Sequence, residues 1–259
     1  MKHILQKVIW FSISALFIFV ASEATAQPTG APFFTNSHKQ FTVGLDAGKN
    51  SSVIYGVENT SRLILLKGVY GLGSRLDLFG VLGGVALKLD APSIGVTLED
   101  NYNLAYGAGL KLVLIKFGKT GISIVGGAQF FRFKSNPSSN TAVNVANSQV
   151  TRTVEMKYDW REANADAGLA KDIGKFRFYA GINVRYIDRE ETKIEQFSFG
   201  ESTLPTNVES GRYQSGAMTS PVFGLDINVG RYYQLHGEIS GTDKTDYAFY
   251  FGISQKGSP

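Results

Sequence analysis

No cysteine occurs among the 259 residues. That excludes disulfide staples, thiolate metal sites and a lipid-modified N-terminal cysteine. Histidine is almost as scarce, with 3 in the chain. No His-x-x-x-His pair and no Asp-rich calcium loop is present, so no metal and no cofactor is expected. Lys and Arg exceed Asp and Glu by 26 to 22, too small a margin for a nucleic-acid footprint, and no nucleic-acid partner is expected. Beyond the N-terminal segment nothing approaches the ~18 consecutive apolar residues of a spanning helix, which excludes a helical inner-membrane protein. What is plentiful is Gly (29), Phe (18) and Tyr (12), against 7 Pro. That composition suits strands with close backbone packing and an aromatic rim.

The first residues have the three-part layout of a secretory signal peptide. Lys2, His3 and Lys7 form a basic start, Val8 to Val20 an apolar run, and Ala24-Thr25-Ala26 a small-residue cleavage site. Residues 1–26 are therefore expected to be a signal peptide, with the mature chain starting at Gln27. Residues 27–39 lack periodicity and are expected to be a flexible lead-in.

From Gln40 the chain alternates with period two. Phe176, Phe178, Ala180, Ile182, Val184 and Tyr186 interleave with Arg177, Tyr179, Gly181, Asn183 and Arg185. Successive side chains of an extended strand point to opposite faces, so the segment has one apolar and one polar face. About ten such segments follow one another: 40–48, 61–71, 75–87, 103–117, 121–134, 151–171, 175–188, 218–229, 232–241 and 245–254. The phase slips near Trp160-Arg161, which predicts a bulge or a strand projecting above a membrane.

Connections alternate in length. Tight turns are expected at Leu72-Gly73-Ser74, Gly118-Lys119-Thr120, Asp172-Ile173-Gly174 and Gly230-Arg231, and long polar loops at 49–60, 88–102, 135–150 and 189–217. Only the hairpin at Thr242-Asp243-Lys244 is short on the long-loop side. A transmembrane barrel sorts its connections in this way, with short turns in the periplasm and long loops outside. A soluble sandwich has no reason to. The expectation is an all-β fold: a single antiparallel up-and-down transmembrane barrel over 40–254, with a short tail at 255–259.

In lipid every backbone polar group must pair internally, so an all-β span has to close. Aromatics collect at both ends of the strands: Tyr70, Phe117, Phe176, Tyr232 and Tyr233 near the turns, Phe130, Tyr158, Tyr186 and Tyr247 near the loops. Two interfacial girdles would have that spacing. The hairpin from Lys67 to Gly80 and the closing hairpin from Phe223 to Ile253 resemble those of bacterial outer-membrane β-barrel proteins, a broad class rather than one family. In that class the last strand ends in alternating aromatics read by the barrel-assembly machinery. Tyr247, Phe249, Phe251 and Ile253 match the alternation, although Gln255-Lys256-Gly257-Ser258-Pro259 follow them. The resemblance implies a Gram-negative outer-membrane location, with outer-membrane lipid and the assembly machinery as partners.

The polar face should line the lumen. It carries Asp46, Lys67, Asp77, Lys111, Arg177, Arg185, Asp226, His236 and Glu238. Both signs are present, so the interior could be an ion-paired plug or the lining of a channel for small polar solutes. His236, Glu238 and Ser240 share one strand face, but side chains at i and i+2 stand roughly 6–7 Å apart, too far for a proton relay. Ten-stranded outer-membrane proteases of the omptin type resemble the chain in strand count. They carry paired aspartates and an Asp–His couple at the outer rim, and no matching motif is present. The turn at Gly71-Leu72-Gly73-Ser74 is no phosphate cradle, because no helix follows. No catalytic residue is expected. The function expected is a porin-like channel or a structural or adhesive surface protein. The alternatives are a soluble periplasmic or secreted barrel holding an apolar ligand and, third, an outer-membrane hydrolase.

Overall fold

The computed structural model describes residues 40–256 except 55–56, 92–95, 119, 146–147, 200–201, 204–205, 231 and 242–246. The expected signal peptide, lead-in and Thr242-Asp243-Lys244 hairpin lie outside the described residues. The strands are β1 (Phe41–Ile54), β2 (Val57–Gly71), β3 (Leu76–Ala91), β4 (Val96–Glu99), β5 (Asn103–Phe117), β6 (Ile122–Ser135) and β7 (Ser138–Val145). They continue with β8 (Ser148–Ile173), β9 (Phe176–Phe199), β10 (Ser202–Thr203), β11 (Asn207–Gln214), β12 (Met218–Val229), β13 (Tyr233–Gly241) and β14 (Tyr247–Lys256).

Ten of these, β1, β2, β3, β5, β6, β8, β9, β12, β13 and β14, form an antiparallel ring in which each stave pairs with its neighbours in sequence order. The ring closes where β14 pairs with β1, from Thr42↔Lys256 to Ser51↔Tyr247. Closure leaves no open edge around the wall. At the short-turn end, Gly121, Gly174 and Gly230 take φ of 66°, 61° and 66°. That left-handed conformation is open to glycine without steric cost and lets two strands reverse in so few residues.

The long connections differ from expectation. Instead of loops, the strands extend upward and acquire partners: β4 pairs with β3, β7 with β8, and β10 and β11 with β9. Alternation of apolar residues ends where lipid contact would end, but backbone pairing does not, so a criterion based on hydrophobicity stops too early. The expected tail is also shorter, because Gln255 and Lys256 still pair with Val43 and Thr42.

No bulge occurs at Trp160-Arg161. The ladders of β8 with β6 and with β9 run through it without a register shift. Among the described residues a register shift in the wall falls between Val113 and Ile115 of β5. What changes at Trp160 is the environment. Below it the outward residues of β8 are Leu169, Ala167, Ala165 and Ala163; above it they are Arg161, Asp159 and Lys157, and the apolar residues Trp160, Tyr158 and Val154 turn inward.

The outer surface is apolar in a continuous band. Val43, Leu45, Ile64, Leu66, Leu82, Leu110, Phe130, Phe178, Ile182, Phe249 and Phe251 are all exposed on it. A water-soluble monomer rarely exposes a contiguous apolar surface of this extent. A barrel in lipid requires one.

Candidate functional site

All nine charged residues picked out on the polar face are buried inside the wall. Alternation explains this, since each sits between outward apolar neighbours on its own strand. Strand pairing then decides who meets whom. Lys67 Nζ lies 3.1 Å from Asp46 Oδ2, and His236 Nε2 lies 3.0 Å from Asp46 Oδ1, so one carboxylate joins two cationic partners when His236 is protonated. Gly252 makes this contact possible: a Cβ there would collide with both the His236 ring and Asp46 Oδ1.

Register sets Asp77 opposite Lys111, and Asp226 opposite both Arg177 and His236. Arg177 also pairs with Asp172, with Nη2 2.8 Å from Oδ2. Glu238 accepts a short hydrogen bond from the Tyr179 hydroxyl. Tyr179 reaches it by leaning over Gly224, where a Cβ would collide with the phenol ring.

Arg185 stands apart from the others. Its Nη2 is 2.6 Å from Glu162 Oε2, and both side chains are fully buried. Glu162 also accepts from Trp160 Nε1 at 3.1 Å and from Asn164 Nδ2 at 2.7 Å. These hydrogen bonds on the carboxylate side offset part of the cost of desolvating the pair. Glu162, Asn164 and Asp166 join the lumen without having been expected there, because the apparent slip at Trp160-Arg161 obscures the phase of β8. The signal is present in the chain: the even positions 162, 164 and 166 are all polar, and the odd positions 163, 165 and 167 are all Ala.

An apolar cluster begins beside these charges and continues upward. Leu63, Leu65, Phe79, Val81, Val85, Phe131, Phe133, Trp160 and Ile187 pack together, with Val81 paired to Lys67 and Leu65 to Asp46, and the Phe133 and Trp160 rings stack at 5.6 Å. Higher still, Leu87, Leu89, Val96, Leu98, Val154 and Tyr158 form a second buried cluster between β3, β4 and β8. Between the two clusters Arg189 lies 5.1 Å over Tyr158, 5.8 Å over Trp160 and 5.3 Å over Tyr213. Cation–π attraction holds the guanidinium there, helped by Glu191 at 2.9 Å. Buried side chains thus line the interior from the charged residues to the raised strands.

No family model matches the chain, and no curated protein is similar to it in sequence. Among solved structures, the translocator domain of autotransporter NalP from Neisseria meningitidis is 11% identical over 98% of this chain and 95% of its own, with a TM-score of 0.47. The outer membrane protease OmpT from Escherichia coli is 10% identical over 84% and 93%, with a TM-score of 0.43. The outer membrane protein OprG from Pseudomonas aeruginosa is 11% identical over 87% and 99%, with a TM-score of 0.41. These are likenesses of strand layout, and nothing about activity follows from them.

Proposed function

We propose that the chain is an outer-membrane barrel with a closed lumen, acting as a structural or adhesive surface protein rather than as an open diffusion channel. The observation that carries this reading is the filling of the interior. Lys67, Arg185, Asp46 and Asp226 are each at most 1% exposed, and Phe79, Phe131, Phe133 and Trp160 pack in the same interior. A ten-strand barrel encloses little more than its own side chains unless glycines free the space. Here the space over inward Gly224 and Gly252 is taken by the Tyr179 ring and the His236 ring. The part left for recognition is the raised sheet of β7, β8, β9 and β11, whose β11 is exposed on both faces.

A hydrolase reading has less support. The Asp46–His236 contact is sealed in the interior, and Glu238 is engaged by Tyr179 rather than by a histidine. An apolar-ligand barrel needs room within its apolar layer, and here Phe131, Phe133 and Ile187 are packed into one cluster with their neighbours.

The test is single-channel recording in a planar bilayer, using the protein purified as the cell processes it. Folded, inserted barrels that pass no discrete current are the expected result. Stable conductance steps would overturn the closed-lumen reading and make the interior charges a selectivity lining.

A further inference from the structure

The outer surface carries a second pattern, independent of the lumen. On five staves the first outward side chain above the apolar band is basic: Lys49 on β1, Arg62 on β2, Lys88 on β3, Arg132 on β6 and Arg161 on β8. Register places four of them as directly opposed pairs, Lys49 with Arg62 and Arg132 with Arg161. Like charges opposite one another on adjacent strands repel.

Arg132 and Arg161 are neutralised within the chain, because Asp159 Oδ2 lies 2.6 Å from one and 3.3 Å from the other. Lys88 lies 3.3 Å from Glu99. Lys49 and Arg62 have no carboxylate at ion-pair distance among the described residues. The Lys49 ammonium stands 5.5 Å over the Tyr247 ring. Phe249 is level with Lys49 on the neighbouring strand, and below the pair Leu45, Ile64 and Phe251 present exposed apolar side chains.

We infer that Lys49 and Arg62 bind the phosphate of an acyl-bearing lipid in the outer leaflet, whose chains lie down the wall over Leu45, Ile64 and Phe251. The inference rests on the membrane location proposed for the barrel. Two adjacent cations at the upper edge of an apolar band match an anionic headgroup in charge and an acyl chain in polarity. The guanidinium can take two phosphate oxygens in parallel while the ammonium acts as a point charge. An anion between them also removes the repulsion that the register otherwise imposes.

The experiment has two stages. Purified protein is first offered to lipid vesicles; a barrel that stays in the aqueous phase overturns both the membrane location and the lipid site. Inserted protein is then transferred to detergent and titrated with bisphosphorylated lipid A, with its dephosphorylated form and with inorganic phosphate, the adducts being counted by native mass spectrometry. The parent is expected to hold bisphosphorylated lipid A and neither of the other probes. The double variant Lys49→Gln, Arg62→Gln is expected to lose roughly tenfold or more in affinity, the scale of one charged hydrogen bond or more. Lys116→Gln, at the opposite rim, is expected to bind like the parent. Equal binding by the double variant, or equal binding of dephosphorylated lipid A, overturns the proposal. So does retention of inorganic phosphate alone, which would make the pair a plain anion site. If the double variant does not insert, Arg62→Gln alone is read by the same criteria.

Discussion

Trp160 and Arg161 are consecutive, and they point to opposite sides of the barrel wall. Trp160 stacks on Phe133 inside, while Arg161 pairs outside with Asp159, Asp188 and Glu190 at 3.3, 3.5 and 3.2 Å. This one peptide marks the level at which the apolar side of β8 changes from the outer surface to the interior. Below it the exterior meets lipid and β8 turns Glu162, Asn164 and Asp166 inward. Above it the exterior meets water and the interior packs as a soluble core would.

Placing a charge below that level should therefore cost far more than placing it above. Ile182→Arg is expected to weaken folding into vesicles by about 2–4 kcal/mol, the range for a cation on the lipid face near the midplane. Thr151→Arg, outward and above the level, is expected to leave folding unchanged. Urea titration of vesicle-folded protein measures both, and equal effects would show that the outward face has been assigned wrongly.

Arg185 and Glu162 are a sealed pair, so removing one partner strands the other. Glu162→Ala is expected to destabilise the barrel by roughly 3–5 kcal/mol, and the double variant Glu162→Ala, Arg185→Met by much less. A double-mutant cycle in urea gives the coupling. Additive losses would mean that the two side chains do not depend on each other.

Gly252 tests the Asp46–His236 contact without touching either residue. Gly252→Ala is expected to cost about 1–3 kcal/mol, because the new methyl occupies space held by the imidazole. Gly73→Ala, at a turn where a Cβ would have nothing within 4 Å, serves as the comparison and is expected to be close to neutral. A neutral Gly252→Ala would mean that the imidazole can swing away freely.

Asp188 lies above the apolar band and accepts from Arg212 at 2.8 and 2.7 Å. That guanidinium holds its carboxyl below the ordinary value. A depressed folded-state pKa means that the pair stabilises the β9–β11 ladder above the unfolded aspartate value, about 3.9, and that this is lost as pH falls through the folded value. Hydrogen-exchange protection over Asn207–Gln214, corrected for intrinsic rates, should stay level down to about pH 5 and fall below about pH 4. Arg212→Gln should show the lower protection already at neutral pH. Protection that stays flat to about pH 3 would remove the ion pair from the account.

Much of the architecture is determined by the amino-acid sequence in a form that can be read directly. Period-two alternation at Phe176–Tyr186, Leu104–Leu114 and Phe223–Val229 determines which residues face out, because neighbouring side chains of a strand cannot share a side. Turn glycines such as Gly174 and Gly230 determine where the chain reverses, because a positive φ suits glycine. Tertiary structure alone decides the rest. Alternation places Asp46, Lys67 and His236 inside but says nothing of their distances, which depend on the register between three different pairs of strands. It does not show that β8 and β9 continue as paired strands well above the band, since hydrogen bonding of the backbone carries no side-chain signature. Nor does it show whether the lumen is open. That depends on how far Tyr179 and Trp160 reach across the barrel and on which glycines give them room, and only the closed ring sets those distances.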